Sequence, residues 1–259
     1  MKFFVLIFLT SICIYGSSFQ TPDKKREYYQ LTIYHFANAG QEQMIDTYLE
    51  KALLPALHKK MIHHAGVFKP IANDTATDKL IYLLVPIADA EQMTSLSMLL
   101  LKDKDYIQAG KQYLETSYTN PAYVRMEQQL LLAFPLAPKM KLPALKNPRA
   151  EHVYEFRSYE SASEQLYRNK VKMFNEGGEI ELFKRLQFNA IFYAEVIAGS
   201  KMPNLVYMTS FENMDERDKH WKTFVEDSFW KKLSSMPEYQ HNVSKADILL
   251  MKAASYSDY

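Results

Sequence analysis

The chain has 259 residues, with 31 basic against 30 acidic side chains and 47% hydrophobic composition. Balanced charge excludes the electrostatic footprint that nucleic acid or an anionic membrane surface requires, and a chain this long and apolar can bury an ordinary core. Cys13 is the only cysteine, which excludes a disulfide framework and cysteine-ligated metals.

Lys2 precedes a mostly apolar stretch from Phe3 to Tyr15, and Gly16, Ser17 and Ser18 follow. That is the pattern of a secretory signal peptide over residues 1–18. The apolar run is shorter than the roughly 18 residues that argue for a membrane span. We therefore expect an exported protein, periplasmic or extracellular, soluble once the leader is removed and without stable membrane insertion.

A first unit spans 27–134. Tyr29, Leu31 and Ile33 alternate with Tyr28, Gln30, Thr32 and Tyr34, the period of a strand. Ile45, Tyr48, Leu49, Ala52, Leu53, Ala56 and Leu57 recur at helical spacing, with Pro55 placed to kink or divide that helix. Apolar runs at 66–71 and 80–87 read as strands, 90–114 as a helix, and 129–134 as a closing strand. Residues 135–150 form a linker whose four prolines (135, 138, 143 and 148) favour an extended, semi-rigid chain.

The second unit, 151–252, repeats the order. Strands are expected at 153–159, 190–197, 205–211 and 245–251, and helices at 163–187, broken at Gly177-Gly178, and at 215–233. Tyr29–Tyr34 returns as Tyr154–Tyr159 and Leu80–Gln92 returns as Leu205–Arg217, both about 125 residues on, which marks an internal duplication. Strand, helix, strand, strand, helix, strand, read twice, predicts an α+β fold of two tandem ferredoxin-like (βαββαβ) domains. Each copy leaves one sheet face uncovered, so the two are expected to pack sheet to sheet as an intrachain α+β barrel.

The second unit resembles the NIPSNAP family of the dimeric α+β barrel superfamily. Tyr154-Glu155-Phe156-Arg157-Ser158-Tyr159 is similar to the family's Tyr-Glu-Leu-Arg-x-Tyr opening strand. Asn204–Met208 leading into Glu212–Arg217, then Trp221, Phe224 and Asp227–Lys232, extend the likeness. The first unit matches mainly in pattern: Gln30 and Thr32 replace the Glu and Arg, and its second helix has no tryptophan. The resemblance implies a fold but no settled catalytic motif, and fold does not fix function.

Glu155, Arg157 and Tyr159 share one strand face, with Gln30, Thr32 and Tyr34 as the first unit's counterpart. With Phe156 read as pointing toward the helices, both polar rows are expected on the face the two units enclose. There they would either line a ligand pocket between the halves or, for Glu155 and Arg157, pair across strands to fix the interface. His35, His152 and His220 are further candidates for acid–base work. They are also candidates for haem ligation, which only the superfamily resemblance suggests; no other cofactor and no metal site is predicted. His63-His64 cannot chelate one metal, because adjacent helical residues diverge by about 100°. Glu176 and Glu179 flank the Gly177-Gly178 break. Asn73 and Asn242 fit glycosylation acceptors by coincidence of pattern. No His-Glu-x-x-His, Gly-x-Ser-x-Gly or dinucleotide fingerprint is present. These readings favour a module binding a small molecule or a protein, able to form homodimers. A monooxygenase-type enzyme, haem-dependent or cofactor-free, and a structural envelope protein are the alternatives.

Overall fold

The computed structural model describes residues 25–259, so the leader and Cys13 lie outside the described residues. The first half runs β1 (Tyr28–Phe36), α1 (Ala39–Tyr48), α2 (Leu54–Lys59), β2 (Gly66–Pro70), β3 (Lys79–Ile87), α3 (Ala90–Leu100), α4 (Lys104–Leu114) and β4 (Arg125–Ala133). The second half runs β5 (Val153–Glu160), α5 (Glu164–Asn175), α6 (Glu179–Arg185), β6 (Asn189–Ala198), β7 (Asn204–Phe211), α7 (Met214–Glu226), α8 (Ser228–Ser235) and β8 (Lys245–Ala253).

Each helical stretch read from the sequence is divided, and each division has a local cause. A π turn over Leu49–Leu53 joins α1 to α2 just before Pro55, whose ring supplies no N–H to a regular ladder. Past the end of α3 at Leu100, Asp103 starts α4 by accepting the backbone N–H groups of Asp105 and Tyr106. Asp227 does the same between α7 and α8, for Phe229 and Trp230. Between α5 and α6, Gly178 takes a left-handed φ of 88°, and a Cβ on Gly177 would sit 2.5 Å from the Met173 carbonyl oxygen.

The eight strands close into one antiparallel barrel in the order β1-β3-β2-β8-β5-β7-β6-β4. The halves are therefore stitched edge to edge, at β2–β8 and β4–β6, as well as facing one another across the interior. Closure leaves no free sheet edge. The interior is filled by side chains from both halves, among them Tyr29, Leu31, Phe68, Tyr154, Phe156, Met208 and Met251. Phe68 and Tyr154 meet across it with ring centroids 4.9 Å apart.

Two segments strap the halves together. In the linker, Lys141 donates its backbone N–H to the Ile191 carbonyl at 2.9 Å, and the Glu212 carboxylate accepts from the Lys146 and Asn147 amides. The C-terminal tail returns to the first half, where Ser257 Oγ accepts from the Val67 amide and Asp258 from that of Ala65. Outside the barrel, α1 to α4 cover the first half's strands and α5 to α8 cover the second's, each over its own apolar layer.

Candidate functional site

The two polar rows lie on the opposite face from the one the sequence suggested. Phe156 points into the barrel, 5.5 Å from the Tyr82 ring, while Glu155, Arg157 and Tyr159 lie beneath the helices of the second half. Gln30, Thr32 and Tyr34 likewise face the helices of the first half. Alternation tells which residues share a face but not which face turns inward, and here both faces are covered. The expected pocket between the halves is corrected accordingly, because that space holds the packed barrel core.

In the second half the layer between sheet and helices is closed by a buried ionic cluster. Glu155 is fully buried; its Oε1 accepts from Arg157 Nε at 2.6 Å, and its Oε2 accepts from Arg217 Nε at 2.6 Å and Trp221 Nε1 at 2.8 Å. The Arg157 guanidinium lies 3.7 Å over the Trp221 ring. It also donates to Tyr159 Oη at 3.0 Å, and that hydroxyl contacts Tyr207 Oη at 2.9 Å. Lys170 and Glu179 form a second buried pair at 2.8 Å. Phe174, Phe183, Phe188 and Phe224 take up the remaining volume. With both oxygens of Glu155 engaged by charged or indole donors, this cluster fits a packing role better than proton transfer.

The first half is built alike and filled differently. Asp89 caps α3 and Asn213 caps α7, each side chain accepting from the amide three residues on. Counted from these caps, Met93 stands where the second half has Arg217, and Ser97 where it has Trp221. On the facing strand Gln30 replaces Glu155 and Thr32 replaces Arg157. Two arginines and a tryptophan are thus exchanged for smaller neutral groups and the carboxylate for an amide of its own size, and a cleft of about 550 Å³ opens between the sheet and the helices.

Gln30, Thr32 and Tyr34 form part of its strand side, and Tyr48, Tyr106 and Tyr113 part of its helix side. Tyr48 and Tyr106 share a hydroxyl contact at 2.9 Å, and the Tyr48 and Tyr113 rings stack 3.8 Å apart. Burial pushes the hydroxyls of Tyr34, Tyr48, Tyr106 and Tyr113 above the ordinary phenol range, so all four stay neutral near pH 7. Among the described residues, no charged side chain lines the cleft. Gln30 Nε2 donates to Thr32 Oγ1 at 3.4 Å, whereas Gln30 Oε1 is shielded from solvent and has no hydrogen-bond partner among the described residues.

The remaining sequence candidates lie elsewhere. His35 sits between Asp78 at 2.8 Å and Glu127 at 3.3 Å, His152 Nε2 contacts the Asn147 carbonyl, and His220 Nδ1 contacts that of Glu216. None of the three lines the cleft. Asn73 and Asn242 are buried, Asn73 bonding through its side chain to both backbone groups of Leu80. The tyrosines of α4 escaped the sequence reading as site residues, although the missing tryptophan of the first unit's second helix was visible there.

Residues 154–258 match the family model NIPSNAP. The second half is a NIPSNAP domain. It is the filled half, and the cleft lies outside the matched NIPSNAP segment. The chain is similar to a provisionally named monooxygenase from Fusobacterium nucleatum at 6% identity and TM-score 0.54, over 88% of this chain and 93% of that one. A second provisionally named monooxygenase, from Lactobacillus acidophilus, matches at 9% identity and TM-score 0.51, over 88% and 94%. An anthrone oxidase-like protein matches at 8% identity and TM-score 0.53, over 90% and 93%. At such identities these likenesses show the fold. No curated protein matches the chain. Among the described residues, no helix is long and apolar enough to cross a membrane.

Proposed function

We propose that this chain is an exported small-molecule-binding protein made of two tandem ferredoxin-like units with divided roles. The NIPSNAP half stabilises the barrel, and the first half holds the ligand between sheet and helices. The observation that carries this reading is the cleft of about 550 Å³ at the place where the twin half is filled by Trp221 and its ionic partners. The volume lies within the range of roughly 300–1,000 Å³ typical of small-molecule sites, and an apolar wall with a few convergent polar groups is their usual lining.

Titration with Nile red, a neutral apolar fluorophore, tests the proposal. Saturable one-to-one binding should be lost in Ser97→Trp, which restores the second half's plug at an exposed helix position. Binding that is unsaturable, or unchanged by that substitution, would move the weight to a protein-binding or structural envelope role. Export itself is tested by N-terminal sequencing of the protein from the producing cell, which should start near Phe19.

An oxidative enzyme is the second reading, supported by the names of the similar folds and by the tyrosine-lined cleft. Haem does not fit the donor set. Among the described residues, the lining supplies neither histidine nor cysteine for the iron, burial holds Tyr34, Tyr48, Tyr106 and Tyr113 protonated and so unsuited to ligate it, and there is no arginine or lysine for the propionates. A cofactor-free reaction relying on the substrate's own reactivity is the form of this reading that the residues permit.

A further inference from the structure

The cleft also constrains the chemistry of what it takes. Taking it as a ligand site, as proposed above, we infer that its ligand is a neutral, apolar molecule carrying a hydroxyl that donates to Gln30 Oε1. Two independent observations carry this inference.

The first is the complete absence of charge from the lining. The raised tyrosine hydroxyls are perturbed by burial and by one another, with no ionised group among their causes. A carboxylate or ammonium entering this space would lose its hydration and meet no countercharge, an uncompensated desolvation. The twin half shows the alternative design, in which every buried charge has its partner already in place.

The second is the orphaned acceptor. A buried amide oxygen without a partner is an exception among native polar groups and calls for a specific explanation. Gln30 stands where Glu155 is satisfied by three donors, and the first half supplies none of them: Thr32, Met93 and Ser97 replace Arg157, Arg217 and Trp221. A ligand hydroxyl would supply the missing donor once the amide, held only by its 3.4 Å bond to Thr32, turns its oxygen toward the cleft. It would also favour that ligand over an analogue without a hydroxyl, because only the former gains a bond to an acceptor already desolvated and unpaired in the free protein. Gln30 is on this account the specificity-determining residue, and the tyrosine and leucine walls provide affinity.

Calorimetric titration with three naphthalenes of similar size separates the possibilities. 2-Naphthol carries the donor, 2-methoxynaphthalene lacks it, and 2-naphthoate is an anion. We expect saturable binding of 2-naphthol, binding at least about tenfold weaker for 2-methoxynaphthalene, and at least about hundredfold weaker for 2-naphthoate. Gln30→Leu should bring the first two within about threefold by weakening 2-naphthol alone; Gln30→Met serves as a second variant should the first fold poorly. If 2-naphthoate binds as well as 2-naphthol, or the ratio of the first two survives both Gln30 variants, the inference is overturned. The cleft reading would still stand provided Ser97→Trp abolishes 2-naphthol binding. If no probe binds, or Ser97→Trp leaves 2-naphthol binding unchanged, both the inference and the cleft reading fail.

Discussion

The two halves of the barrel carry the same elements in the same order and differ in what lies between sheet and helices. In the NIPSNAP half a carboxylate, two guanidiniums and an indole form a closed set of hydrogen bonds around Glu155. In the other half the corresponding positions are an amide, a hydroxyl, a thioether and a second hydroxyl, and the layer is hollow. The family signature and the cleft therefore lie in different halves. A strand motif such as Tyr154–Tyr159 can mark a family by how it packs, while the diverged copy is free to keep a cavity.

The comparison breaks most visibly at Glu155. Glu155→Ala strands Arg157 and Arg217 without their buried partner and should cost about 3–5 kcal/mol in chemical denaturation, whereas Gln30→Ala at the matching position should cost no more than about 1 kcal/mol. Equal costs would show that the second-half cluster is not the structural element it resembles. Trp221→Ser, which copies the first half, should cost about 3 kcal/mol and open a second cavity, read as an additional Nile red site. Gln30→Leu removes an unsatisfied buried acceptor and should leave stability unchanged or raise it by up to about 1 kcal/mol.

The smallest effect concerns pH. The hydroxyls of Tyr34, Tyr48 and Tyr113 are held above the ordinary phenol range by burial, and among the described residues no carboxylate, histidine or amine lines the cleft. Affinity for 2-naphthol should therefore stay flat as pH rises from about 5 to about 8.5, below the probe's own ionisation and the ordinary phenol range. A step within that window would place a titrating group at the ligand.

Element order was legible in the sequence, because the alternation at 28–34 and 153–159 and the helical spacing from Ile45 to Leu57 are local signals. The facing of the strands was not. Tyr29, Leu31 and Ile33 form one apolar row and Tyr34 begins another; with helices outside and a core inside, hydrophobicity cannot choose between them. The repeat also slips by one residue between the halves. Thr32 pairs with Leu83 and Arg157 with Tyr207, so Leu83, not Tyr82, is the counterpart of Tyr207. A single-residue slip reverses inside and outside, which is why an alignment at one constant offset puts Tyr82 on the wrong face. The cleft was hidden for a different reason. It is defined by a residue that is small, Ser97, where its twin is large, and that matters only once the caps of α3 and α7 are superposed.

The most direct test of this account is the electron density of a crystal soaked in 2-naphthol. The account predicts one naphthalene in the first half, between Gln30 on β1 and Ser97 on α3, with its hydroxyl within hydrogen-bonding distance of Gln30 Oε1. Density in the barrel interior or under α7 instead, with the first-half cleft holding only water, would contradict the division of roles between the two halves.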